Sequence, residues 1–390
     1  MKRLLLAIAL SLGLAATLSQ PSRAQQSDPP AAVEALLETF RDAYGFPGAT
    51  AAYALPDGTI GTVAVGFANV EAGIAMTPRS RMLAASIGKT LWGALVLSLE
   101  TEGALRRSDL VSDYLGGFSW FARIPNAETM TIGQLLTHSA GLPDHVHMDG
   151  VVQALIELGT AQPFEPSDVL SFVLDQPPLF EAGSGWAYSD TGYILLGLVI
   201  EAASGRDVFD LARERFLQPL GLTDTVPSRS PVIEGLAVGY TLDDNPFGLA
   251  ARTMDESGSL TWTPAVEWTG GGFASTSANL AMWGHALFTG AAMDADYLER
   301  LLDAVPVDPD APGVLYGSGV AIYEDTPLGP VYGHGGWIPG YVSSLRHYAD
   351  RGLTIAFQIN TDVGVVDDGT DLVPALEAAL AKLLFDSGSN

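Results

Sequence analysis

The amino-acid sequence predicts an α+β protein in which one antiparallel sheet is built jointly by the two ends of the chain. Helices flank that sheet, and a mainly helical region is inserted in its middle. Two strand-like runs lie near the start, at 49–55 and 59–67, and three lie near the end, at 331–337, 341–348 and 353–359. Between them the apolar residues recur at helical spacing, interrupted by Pro and Gly clusters. A chain of 390 residues is also longer than one small core normally fills. The expected organisation is therefore a sheet region from 25–100 and 300–390, with a helical region at 101–299.

In chain order, residues 1–24 read as a signal peptide. Lys2 and Arg3 precede a mainly apolar run at 4–18, too short to span a membrane, and Ser22 and Ala24 occupy the −3 and −1 positions of a cleavage site. A secreted or periplasmic location follows as an expectation, with no membrane span left after cleavage. Residues 25–32 read as a polar, Pro-containing linker. Val33, Leu36, Leu37 and Phe40 mark a helix over 33–44. Pro56-Asp57-Gly58 joins the first two strands as a hairpin.

The run 86–99 carries Leu91, Trp92, Ala94, Leu95, Val96, Leu97 and Leu99, apolar on nearly every face, and so predicts a buried helix that Gly103 terminates. Further helices are expected at 132–138, 167–174, 190–203, 208–216 and 277–288. Turns at Pro339-Gly340 and 350–352 separate the last three strands, and an amphipathic helix at 371–384 closes the chain.

Composition narrows the function. Hydrophobic residues make up 47%, which is globular. There is no cysteine, so thiol chemistry, disulfides and Cys-ligated metals are excluded. Loss of Lys2, Arg3 and Arg23 with the leader takes the formal charge from −26 to −29, which disfavours nucleic acid and anionic lipid as partners. Nothing in the sequence calls for a cofactor or a metal. His145 and His147 with Asp144 and Asp149 read as a solvated loop rather than a metal site.

Lysine is the informative residue. Beyond the leader only Lys89 and Lys382 remain. Lys382 reads as a solvated side chain on the terminal helix. Lys89 begins the most apolar helix of the chain, where an ammonium is costly unless paired or deprotonated. Ser86 lies three residues earlier, one turn away on the same helix face. An amine of lowered pKa can take a serine proton, so the Ser-x-x-Lys spacing points to Ser86 as a nucleophile with Lys89 in its activating base.

Ser86-Ile87-Gly88-Lys89, Tyr188-Ser189-Asp190 and His334-Gly335-Gly336 occur in that order, with TIGQLLTHSAGLPD at 131–144, YSDTGYILLGLVIEAASG at 188–205 and GGFASTSANLAMWG at 271–284. On these stretches, over roughly 33–362, the chain resembles the serine β-lactamase-like family. That family includes class C β-lactamases, D-alanyl-D-alanine carboxypeptidases, D-aminopeptidases and β-lactamase-fold esterases. The resemblance implies a β-lactamase/DD-peptidase-like fold and acyl-enzyme chemistry on a small-molecule or short-peptide substrate. It implies that Ser86 attacks the carbonyl while Lys89 and Tyr188 share its proton. The backbone N–H groups of Ser86 and Trp337 would form the oxyanion hole. His334, Gly335 and Gly336 would line the substrate cleft, and His138 would be structural.

Asp190 departs from the family, which has Asn at this place. An ionised Asp accepts hydrogen bonds but donates none. It favours substrates with a free amine, or small esters, over acylated peptides and lactams. It also bonds Lys89 in this reading, opposing the effect of burial on the amine, and the sequence leaves open which wins. Two other readings compete. An α/β-hydrolase would use Ser86, Asp190 and His334 in that order, but no buried strand precedes Ser86 and no βαβ alternation follows it. A non-catalytic binding protein on the same scaffold explains Asp190 but not an intact Ser86, Lys89 and Tyr188.

Overall fold

The computed structural model describes residues 29–159, 164–245, 247–293, 296–365 and 369–387. The signal-peptide segment 1–24 lies outside them. The first helix, α1 (Pro29–Tyr44), begins four residues before the expected start. Pro29 and Pro30, taken as linker residues, open its first turn, where a missing N–H costs nothing.

The hairpin is β1 (Gly48–Ala54) and β2 (Ile60–Asn69). Two short strands follow, β3 (Ile74–Ala75) and β4 (Met82–Leu83). The buried helix α2 runs over Lys89–Thr101. Ser86 itself lies just before it, in a 3₁₀ turn at Ala85–Gly88, and not on the α-helix that the sequence suggested. Helix α3 (Asp190–Ser204) is followed by β5 (Val226–Pro227), β6 (Phe273–Ser275) and helix α4 (Ser277–Phe288). The chain ends in β7 (Val305–Pro306), β8 (Val314–Tyr316), β9 (Ala321–Tyr323), β10 (Val331–Ile338), β11 (Tyr341–Tyr348), β12 (Leu353–Ile359) and α5 (Leu372–Ser387).

Nine strands form one sheet in the order β3-β2-β1-β12-β11-β10-β9-β8-β7, and every neighbouring pair is antiparallel. The two chain ends meet at its centre, where Ala51 of β1 faces Phe357 of β12. The expected antiparallel sheet is thus present, but it is wider than the five strands read from the sequence. Strands β7 to β9 are two or three residues long, too short for an alternation to register.

Alternation along β1 assigns the faces. Ala49, Ala51 and Tyr53 pack with Val33 and Leu37 of α1 and Leu376 and Leu380 of α5. Ala52 points the other way, into the large core that holds α2, α3 and α4. Helix α4, which falls within the 101–299 stretch, packs directly on β1, β11 and β12. Helix α2 is buried on all sides, as its composition demands, with Trp92 against Phe209 and Phe273. A second sheet, β4-β6-β5, carries the chain into the Ser86 turn.

Candidate active site

Three segments converge on Ser86, and glycine lets them approach. A Cβ on Gly88 would lie 1.9 Å from the Gly271 carbonyl oxygen, and one on Gly336 would lie 2.3 Å from that of Ala84. Larger residues there would push the loop at 270–272 and strand β10 off the Ser86 turn. Ala84 is pinned from both directions, its N–H donating to Phe273 O (2.8 Å) and its carbonyl accepting from Ser343 Oγ (2.8 Å). Ala85, immediately before the serine, has φ +49°, a left-handed conformation that alanine adopts at a cost of about 1–2 kcal/mol. Such strain persists only where surrounding contacts over-determine it.

Lys89 is fully buried. Its Nζ donates to Ser86 Oγ (3.0 Å), Asp190 Oδ1 and Gly270 O. Tyr188 also donates to Ser86 Oγ, at 2.9 Å. Burial pushes the Lys89 ammonium down, but Asp190 and Tyr188 together outweigh it and hold the amine above its ordinary value. Of the two opposing effects named from the sequence, the pull of Asp190, joined by that of Tyr188, prevails in this geometry. Burial, opposed by Lys89, pushes the Tyr188 hydroxyl up to about 12. At rest the site therefore holds a charged lysine and a protonated tyrosine. A neutral Lys89 would still be well aimed. Gly270 O and Asp190 can only accept and would take its two N–H groups, leaving the lone pair for Ser86.

Around this centre lies a neutral, buried histidine layer. His138 Nδ1 accepts from the Ser189 N–H (3.2 Å), and its ring lies 4.2 Å from that of Tyr188. Burial, then the Lys89 charge, keeps it well below the ordinary histidine value, as a structural role requires. His334 of β10 is pushed down to about 3 by burial first and Lys89 second. Its Nδ1 lies on Gly335 O and its Nε2 on Tyr316 OH at 2.8 Å, so the ring donates to the carbonyl and accepts from the tyrosine. The 145–149 loop corrects the solvated reading in part. His145 is buried and bonded to Thr191 Oγ1 (3.1 Å), whereas His147 is exposed. Among the described residues no group of His, Cys, Asp or Glu is placed to hold a metal ion.

A cavity of about 870 Å³ opens above Ser86. Strand β9 pairs with β10 only as far as Gly333, and Gly335, Gly336 and Trp337 beyond it line the cavity. The Trp337 side chain donates to Asp362 Oδ2 (3.1 Å) and meets the Phe247 ring at a tilt of 41°. The cavity walls are mostly apolar, with Val151, Leu155, Val169, Leu249, Trp262 and Val266 among them. Three carboxyl groups interrupt them: Asp190, Asp144 and Glu267. Burial, reinforced by Asp190, pushes Asp144 up to about 6, and burial pushes Glu267 up to about 7.

The structure brings Ser86, Tyr188, Asp190, His334, Gly335, Gly336 and Trp337 to one cavity, with Lys89 buried behind Ser86 and Asp190. Sequence reasoning missed Tyr193, Tyr316 and Glu267. The Tyr193 ring lies 5.2 Å from Lys89 Nζ, and its place three residues after Asp190 was a usable helical signal. Tyr316 and Glu267 lie on a short strand and a 3₁₀ turn with no periodicity to mark them.

Comparison with known proteins agrees with this architecture. The sequence model of the Beta-lactamase family matches residues 33–380. A penicillin-binding protein of Bacillus subtilis is 25% identical over 308 residues, 77% of this chain and 64% of that protein. A D-aminopeptidase of Brucella anthropi is 26% identical over 333 residues, 85% of this chain and 60% of that protein. The chain thus spans somewhat under two thirds of the length of these two relatives. The solved structure of a D-stereospecific amidohydrolase from Streptomyces sp. superposes with a TM-score of 0.72 at 26% identity, covering 86% of this chain and 94% of the other. With a family match over nearly the whole described chain and the same fold beneath it, this protein belongs to the beta-lactamase family of serine hydrolases.

Proposed function

We propose that this chain is an exported serine hydrolase that forms an acyl-enzyme on Ser86 from small amides or esters bearing a free amine. The observation that carries the reading is the Asp190 carboxylate, bonded to Lys89 and two residues from Tyr188, at the edge of a cavity that also holds Asp144 and Glu267 and whose one arginine, Arg346, is paired with Glu377. Such a cavity attracts an ammonium and repels the carboxylate of an acylated peptide or a lactam. The D-aminopeptidase and D-stereospecific amidohydrolase among its relatives support an amide of a D-amino acid. The leader at 1–24 supports export.

In this mechanism Lys89 first gives up a proton to solvent, and Ser86 Oγ then attacks the substrate carbonyl as its proton passes to the neutral amine. The Oγ–C bond forms and the carbonyl oxygen becomes an oxyanion, held by the N–H groups of Ser86 and Trp337. Tyr188 relays the proton to the leaving amine or alcohol as the C–N or C–O bond breaks. Water then repeats the sequence on the acyl-enzyme and frees Ser86. Asp190 raises the cost of neutral Lys89, so acylation quickens as pH rises.

A fluorophosphonate should place one label on Ser86, and turnover should favour D-amino acid amides over a chromogenic cephalosporin and a D-Ala-D-Ala peptide. Labelling at another residue, or full activity in Ser86→Ala, overturns the nucleophile. Rapid cephalosporin turnover without amidase activity overturns the substrate class.

A further inference from the structure

The acidic groups of the cavity are not equivalent. Asp190 is engaged with Lys89. Asp144 accepts the backbone N–H groups of Val146 and Asp190. Arg346, a cation on the cavity wall, is taken by Glu377 at 3.1 Å. Glu267 differs from these. Its Oε2 accepts from the Gly272 N–H at 2.9 Å, and among the described residues it has no cationic partner and Oε1 has no hydrogen bond. It stands in a wall that includes Val266 and Trp262, on the 3₁₀ turn Pro264–Gly270. The neighbouring Trp268 has φ +36° and ψ −117°, breaking the turn directly after the carboxylate. Gly271 carries no side chain where a Cβ would meet Oε1 at 2.0 Å. A carboxylate in apolar surroundings with no counter-charge is costly. The chain accepts that cost a few residues from Gly270, whose carbonyl receives Lys89.

We propose that Glu267 is the receptor for the substrate's ammonium group and so determines specificity for amine-bearing substrates. This rests on the reading of the substrate given above and adds the residue that selects it. The ammonium supplies the cation Glu267 lacks, and the apolar wall around them strengthens the contact by excluding water. The charges that bear on Glu267 are Lys89, which favours its ionised form, and Asp190, which opposes it. Its elevation to about 7 by burial makes its charge, and hence the selectivity, depend on pH near neutrality. Below that value the carboxyl is protonated and its hold on an ammonium is lost.

Glu267 also steadies the 270–272 loop through Gly272, and the test must separate that role from recognition. Glu267→Gln does so, because its amide oxygen still accepts from Gly272 N–H. The probes are D-phenylalanine p-nitroanilide and its desamino counterpart, 3-phenylpropionyl p-nitroanilide. In the variant, KM for the amine-bearing compound should rise about 10- to 100-fold, the worth of one charge-assisted contact, while the desamino compound shifts less than about twofold. The preference of the unsubstituted enzyme for the amine should fall as pH drops through about 7, and this dependence should vanish in Glu267→Gln. Equal losses on both compounds, or an unchanged preference, overturn Glu267 as the receptor. If the unsubstituted enzyme prefers the desamino compound while Ser86 still takes a fluorophosphonate, the substrate reading itself falls, and this inference with it.

Discussion

Two cations are withdrawn from solvent near the cavity, and each is matched by one carboxylate. Lys89 faces Asp190 beside Ser86, and Arg346 of β11 faces Glu377 of α5. The pairs differ in what surrounds them. Arg346 lies over the Tyr323 ring at 5.5 Å, and Ser344 Oγ donates to the Glu377 carboxylate it shares. That pair ties the terminal helix to the sheet. Lys89 instead spends two of its three N–H groups on groups of the site, Ser86 Oγ and Asp190 Oδ1. Both cations are raised above their ordinary values, burial opposing and the carboxylate winning. Of the two, the lysine is the one that a rise in pH can strip of its proton, since the guanidinium stays charged throughout. The same kind of buried ion pair is a fastener where the cation is permanent and, in the proposed mechanism, a reversible proton store where it is not.

The largest expected effect breaks this contrast at its source. Lys89→Arg keeps the charge and removes the base, so acylation of Ser86 should slow by about 10²–10⁴-fold, read as the rate of fluorophosphonate or nitroanilide acylation. Arg346→Lys should leave that rate within about twofold. Near-normal acylation in Lys89→Arg would show that only positive charge is required, with Tyr188 as the base. The next effect lies on the fastener. Glu377→Gln leaves Arg346 without its counter-charge and should cost up to about 3 kcal/mol of stability, discounted for the 12% and 20% exposure of the two side chains. Thermal unfolding checks it, and kcat should not change.

Asp190→Asn is smaller and more selective. It removes the charge that holds the Lys89 proton, so the pH limb of acylation should move to lower pH. It also restores a donor. The ratio of kcat/KM values should shift toward acylated amides by about 5- to 150-fold, the equivalent of one hydrogen bond of about 1–3 kcal/mol. An unmoved limb would mean that the two side chains do not interact in solution. The smallest change leaves both pairs intact. Tyr316→Phe strips the donor from His334 Nε2, at a cost of about 1 kcal/mol and a several-fold loss in kcat/KM. No effect there would confine the role of His334 to packing.

Much of the scaffold was legible because it is written in short-range periodicity. The spacing of Ser86 and Lys89 survives although the turn between them is 3₁₀, since both helix types bring i and i+3 together. The strands of the two chain ends are runs of seven to ten residues, long enough to announce themselves. Strands β7 to β9 did not, because a pair of residues has no period.

By itself the sequence determined the closeness of Ser86 and Lys89, the apolar helix that Lys89 begins and a sheet shared by the chain ends, since each follows from residues a few positions apart. Tertiary structure alone decided the charge on Lys89. A buried amine responds to whatever lies within a few ångströms, and here that is Asp190, 101 positions away in the chain, together with the carbonyl of Gly270. Glu267 and Tyr316 became visible for the same reason. Their meaning lies in the surroundings that packing supplies, one carboxylate left without a cation and one hydroxyl set against a histidine.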